Sequence, residues 1–191
     1  MINLDALKTI VIIFFVLLHL FLPHFLMVAT PVLLFSTMSP TIFFAIFGFA
    51  LVFIDFVIIY FLITRKKETE KIYPLIIQYI VPACLLIYIS FWYSLVDVLI
   101  QMYSKAMSSV GRVPLSIYTY TNVHTIDTST ISLFLMSYLI ITAISFSLVT
   151  KVVSDKSFLD IKHLISLLVI AITFFLIYKY VIINFFGIFI Y

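Results

Sequence analysis

Residues 9–54 read TIVIIFFVLLHLFLPHFLMVATPVLLFSTMSPTIFFAIFGFALVFI and contain no Asp, Glu, Lys or Arg; Lys8 and Asp55 bound the run. A stretch of this length crosses a bilayer twice, because one helical span needs about 20 apolar residues to cover a hydrocarbon core of roughly 30 Å. Pro31 and Pro40 mark the break between the two spans. Working outward, the same hydropathic reading places spans at about residues 9–29, 41–64, 73–101, 131–150 and 164–190. Lipid offers backbone amides no water partners, so apolar segments of this length must be helical, and the dyad alternation of a membrane barrel is absent. The expected fold class is all-α: a polytopic integral membrane bundle of five helices forming one membrane domain over residues 1–191.

Composition agrees. The chain is 65% hydrophobic and 10% charged, against about 25% charged residues in soluble domains. The net charge of +3 gives no reason to expect nucleic acid, because basic residues in such a chain report orientation first. The run from Thr9 to Ala29 exceeds a secretory signal core of about 7–15 residues and lacks a small-x-small cleavage pattern, so it is read as the first membrane helix. Lys8, Arg65, Lys66, Lys67, Lys71, Lys151, Lys156 and Lys162 fall on one side of the predicted spans, and only Lys105 and Arg112 fall on the other. The positive-inside rule then places the N-terminus inside, the C-terminus outside, and the longest connection, about residues 102–130, outside. The membrane is expected to be a prokaryotic cell membrane or an inner organellar membrane.

Few residues carry chemistry. Cys84 is the only cysteine, which excludes an internal disulfide and multi-thiolate metal sites, and it is expected to be a buried, inert thiol. The histidines are too scattered for a haem or metal centre: His19 and His24 are about 140° apart around one helix, and His124 and His163 fall outside the apolar interior. No catalytic residues and no cofactor of the chain's own are expected, although bound lipid fits its composition.

Asp55 is the one acid well inside a span, and such a carboxylate is a functional hypothesis by default. Counted from Arg65 and from Lys8, Asp55 and His19 lie at depths of about 15 and 16 Å, so antiparallel neighbouring spans bring them level. Two readings stand: a hydrogen-bonded pair that fixes packing, or a proton relay. Trp92, Tyr93, Asp97 and Lys179 are assigned to the outer interface. Trp92 and Tyr93 lie about 31 Å beyond Lys71 where aromatic belts sit; Asp97 is read as a wet acid and Lys179 as a snorkelling anchor. Ala45, Gly48, Ala143 and Ser147 are the small residues expected at helix contacts, and the fourth helix is expected at the centre of the bundle or at a subunit contact.

The layout of five spans, inside N-terminus, outside C-terminus and long outer loop after the third span resembles the short form of subunit III of haem-copper terminal oxidases. The chain departs from that family in having no His between Ile131 and Thr150 and no Glu in any span, and Asp97 is at most a loose counterpart of its acids, so no site is carried over. The resemblance implies a subunit without redox centres that supports a respiratory complex, with integral membrane partners bearing haem or copper. The expected function is thus a non-catalytic accessory subunit of a multi-subunit membrane complex of terminal-oxidase type. The alternative is a small oligomeric transporter or channel component using Asp55 and His19.

Overall fold

The structure, a computed structural model, describes residues 4–34, 39–64, 79–110, 127–154 and 160–190. These residues form five helices: α1 Leu4–Leu34, α2 Pro40–Thr64, α3 Val81–Val110, α4 Thr128–Ser154 and α5 Ile161–Ile190. All five are long and apolar enough to cross a membrane, with spans at Ala6–Ala29, Thr41–Thr64, Val81–Ala106, Thr128–Val153 and Ile161–Phe186. The protein is a multi-pass helical membrane bundle.

Side-chain pairs fix the direction of each helix against its neighbours. Phe25 stacks on Phe47, and His19 meets Asp55, so α1 and α2 are antiparallel. Tyr138 donates to the Phe44 carbonyl while Ser145 donates to Asp55, so α2 and α4 are parallel. Ser90 and Ser94 of α3 donate to the carbonyls of Ala171 and Phe175, at 3.1 and 2.8 Å, which makes α3 and α5 parallel. Each of these hydroxyls also bonds its own helix four residues back, Ser90 to Leu86 and Ser94 to Ser90. Its single hydrogen is therefore shared between two helices, an interhelical contact worth on average about 0.6 kcal/mol in a bundle. Because both hydroxyls are small, α3 and α5 approach closely and form the most extensive interface of the fold.

Helices α3 and α4 are the most buried, while α1, α2 and α5 turn broad apolar faces outward. The core draws Phe15, Leu26, Phe44, Leu86, Tyr93, Leu135, Tyr138 and Phe175 from all five helices. Gly48 is the close approach between α2 and α4. A Cβ there would lie 2.5 Å from Tyr138 Cε1, and the ring has little freedom because Phe44, Phe47, Phe134 and Tyr93 surround it. Gly48→Val is expected to destabilise the bundle by about 1–3 kcal/mol through overpacking, read as a lowered midpoint of detergent-induced unfolding; an unchanged midpoint would show that the Tyr138 ring can swing aside.

Several expectations need correcting. Pro31 does not end the first helix, which continues to Leu34; Pro40 opens α2, where a missing N–H costs nothing. The third helix is described from Val81 and runs to Val110, past the expected end at Gln101, and α4 begins at Thr128, so the connection between them is shorter than residues 102–130. Residues 73–78 and 111–126 lie outside the described residues, as do Arg65, Lys66, Lys67, Lys71, Arg112 and Lys156. Cys84 is exposed on the apolar surface of α3 instead of buried. Ala45 also faces outward, whereas Ala143 and Ser147 are buried and Gly48 packs as described.

Acidic caps define where α4 and α5 start. Asp127 accepts from the backbone N–H of Ser129 and Thr130 at 3.1 and 3.3 Å and from both of their hydroxyls. Asp160 accepts from the N–H of Lys162 and His163 and pairs with Lys151 at 3.1 Å. Hydrogen bonds to Ser129 and Thr130 favour ionised Asp127 and hold its carboxyl down at about 2. A depressed folded value means the cap is at full strength above the ordinary carboxylate range and is lost as pH falls through about 2. Amide exchange at Ser129 and Thr130 should therefore accelerate, beyond the intrinsic pH effect, below pH about 4, and Asp127→Asn should flatten that dependence.

Candidate functional site

Besides Ser90 and Ser94 at the α3–α5 contact, buried polar residues form three groups along the bundle. The central one joins α1, α2 and α4. His19 Nδ1 lies 2.9 Å from the Phe15 carbonyl one turn earlier, and a carbonyl can only accept, so Nδ1 carries a hydrogen and donates it. That leaves Nε2 facing Asp55 Oδ2 at 3.4 Å. Ser145 Oγ donates to the same carboxylate oxygen at 2.6 Å. His19 is fully buried and Asp55 is 3% exposed. The imidazole is held by aromatic rings, Phe15 at 4.5 Å and Phe146 edge-on at 5.5 Å. Asp55 Oδ1 is buried without a partner.

Each side chain arrives there for a local reason. The turn of α1 ending in Pro23 lacks one backbone donor, because proline has no N–H to give the carbonyl four residues earlier, that of His19. His19 and Phe15 are four apart and so stack on one inward stripe of α1. On α4 the buried seam runs Leu135, Tyr138, Thr142, Ser145, Val149 and Val152 in steps of three and four, which points Ser145 at α2 and Tyr138 and Thr142 toward Tyr93 of α3.

The second group closes α3, α4 and α5. Lys179 Nζ lies 2.6 Å from Asp97 Oδ2; Ser132 Oγ donates to the same oxygen at 3.2 Å and accepts from Lys179 at 3.1 Å. Asp97 is fully buried, and the Lys179 side chain retains 26% exposure. Asp97 is thus buried rather than wet, and Lys179, part exposed, engages that buried acid. Tyr93 is also fully buried, and Trp92 packs on His24 with ring centroids 4.0 Å apart. The physical reason is azimuth: Trp92 and Tyr93 lie on the side of α3 that packs against α1 and α4. Counting residues fixes depth alone and says nothing of which side of the helix faces the bundle.

The third group lies at the other end. Ser147 Oγ meets His163 Nδ1 at 3.1 Å, Tyr79 stands edge-on to His163 at 4.7 Å, and Lys151 pairs with Asp160. A further contact joins α1 to α3, where His24 Nδ1 donates to the Leu20 carbonyl and Tyr88 Oη approaches Nε2 at 3.3 Å. Both α1 histidines are therefore held with hydrogen on Nδ1 and present Nε2 to a neighbouring helix. Among the described residues no three His, Cys, Asp or Glu side chains converge as metal ligands would.

The structure brings His19 and Asp55 together, as well as Asp97 and Lys179. Sequence reasoning did not assign Ser145 and Ser132 to these acids. Their signal is position: Ser132 and Ser145 both lie on inward positions of α4, and each faces the only acid of its neighbour's span. No protein-family model, no curated protein and no solved structure matches this chain.

Proposed function

We propose that the chain is a non-catalytic subunit of a larger, energy-transducing membrane complex. The observation carrying this reading is that, among the described residues, the acids within the spans are tied to a basic group and a serine of neighbouring helices, Asp55 to His19 and Ser145 and Asp97 to Lys179 and Ser132. Along α4, Leu135 and Leu139 as well as the Tyr138 and Thr142 hydroxyls lie between the Asp97 and Asp55 groups, and Val149 lies between the Asp55 group and Lys151. Ser145 and Ser132 are about 20 Å apart along α4. A chain built to pass a polar solute by itself needs a continuous lining. Here the acids are instead used to tie helices together, and broad apolar faces of α1, α2 and α5 remain to meet lipid or neighbouring subunits. The organisational likeness to the short subunit III of terminal oxidases supports the respiratory version of this reading, with the N-terminus inside.

The transporter reading retains one supporting feature, the hydroxyls of Tyr138, Thr142 and Ser145 along one seam of α4. The two readings part on purification. A tagged chain extracted from its native membrane in mild detergent is expected to hold a fixed ratio of other integral membrane polypeptides, identified by mass spectrometry. Recovery of the chain alone or only as a homo-oligomer would overturn the subunit reading and leave transport.

A further inference from the structure

We propose that His19, Asp55 and Ser145 form an intramembrane binding site for one proton, shared between Asp55 Oδ2 and His19 Nε2. The count of hydrogens carries the argument. Nδ1 of His19 is committed as a donor to the Phe15 carbonyl at 2.9 Å, so the neutral ring offers Nε2 only as an acceptor. Asp55 Oδ2 is 3.4 Å away, and when ionised it too can only accept. Without a further hydrogen, two buried lone pairs face each other. One added proton resolves this in either of two arrangements with the same heavy-atom positions: a carboxylic acid donating to neutral imidazole, or an imidazolium donating to carboxylate.

Ser145 fits both arrangements. Its hydroxyl donates to Oδ2 at 2.6 Å, a bond that a carboxylate and an acid oxygen can each accept. The aromatic collar of Phe15 and Phe146 keeps the imidazole from turning away from the acid. Loading the site breaks no covalent bond: a proton from solvent adds to the Oδ2 or Nε2 lone pair, and unloading returns it to solvent.

The other groups facing the site do not supply that hydrogen. Tyr93 of α3 is fully buried and its ring packs against Tyr138 of α4, whose hydroxyl donates to the Phe44 carbonyl. From α4 come Ser145, Thr142 and Phe146, none of them ionisable. On α5, Lys179 is engaged with Asp97 and His163 with Ser147. The inference does not depend on whether the chain works alone or within a complex.

The test uses the full chain in lipid nanodiscs with nitrogen-15 histidine, following the ring signals and the infrared band of protonated carboxyl groups through a pH titration. The His19 signal is assigned by its loss in His19→Asn. The expected result is an Nδ1–H ring whose Nε2 signal changes at the same pH as a carboxyl band that Asp55→Asn removes. Asparagine preserves the shape and supplies an amide donor to Nε2, so helix content should be retained while the His19 transition shifts at least tenfold in proton concentration. A His19 transition that Asp55→Asn leaves unmoved overturns the proposal. If that variant does not fold, the wild-type spectra decide: hydrogen on Nε2 with Nδ1 bare, or carboxyl and ring changes at unrelated pH, also overturns it.

Discussion

Lys179→Met is expected to destabilise the bundle by about 3–5 kcal/mol, considerably more than Asp97→Asn, although the two residues are partners in one ion pair. The asymmetry follows from burial. Removing Lys179 leaves Asp97, fully buried, with only the 3.2 Å bond from Ser132 to offset its charge. An uncompensated buried charge carries a penalty of about 3–5 kcal/mol. Removing the charge of Asp97 leaves an ammonium that is 26% exposed and carried on a long stem, which can turn toward the headgroups. The amide oxygen that Asp97→Asn introduces would still accept from Ser132 or Lys179. The double variant should recover most of the loss, because an ion pair replaced as a unit by groups of similar size is often close to neutral. Detergent-induced unfolding of the four proteins in one cycle measures the coupling. Equal losses from both single variants would mean that Asp97 reaches solvent in the membrane, and the three-helix closure would have to be abandoned.

The charge-free stretch of residues 9–54 and the other apolar runs made the number and type of helices legible, since lipid permits few alternatives to a helix. Level depth likewise brought His19 and Asp55 to one height, because both were counted from charges near the true ends of α1 and α2. The same ruler gave no sign that Tyr93 and Asp97 face into the bundle, where both are fully buried. Azimuth was harder to read. In a soluble helix an apolar stripe marks the core face, but here lipid and core are both apolar, so Ala45 and Ala143 look alike in sequence while one faces out and the other is fully buried. Serines at helix contacts carried the missing information. Ser90, Ser94, Ser132 and Ser145 all bond across helices, because a hydroxyl costs least in hydrocarbon where a neighbouring helix or acid accepts from it.

The aromatic collar around His19 yields the second large expected effect. Phe146 is 4% exposed, with its ring 5.1 Å from Phe15 and 5.5 Å from the imidazole. Truncating it to alanine deletes a ring from the α1–α4 contact. In soluble cores Phe→Ala costs about 3–5 kcal/mol, the sum of a transfer term and a cavity term. In a bilayer the transfer term shrinks, because lipid tails are as apolar as the core, so Phe146→Ala should fall near the lower end of that range. Phe146→Leu fills much of the volume and should cost less than about 1.5 kcal/mol. The more specific consequence concerns the polar centre. The space opened by Phe146→Ala is edged by the imidazole of His19 rather than by hydrocarbon alone, and a roomy cavity with polar partners admits water where an apolar one stays dry. Hydrogen–deuterium exchange at the carboxyl of Asp55 should therefore quicken in Phe146→Ala and remain slow in Phe146→Leu, read from the isotope shift of its infrared band. Equal exchange rates in the two variants would show that protons reach the centre by a route that does not pass Phe146, and the hydroxyl seam of Tyr138 and Thr142 on the same helix becomes the route to examine.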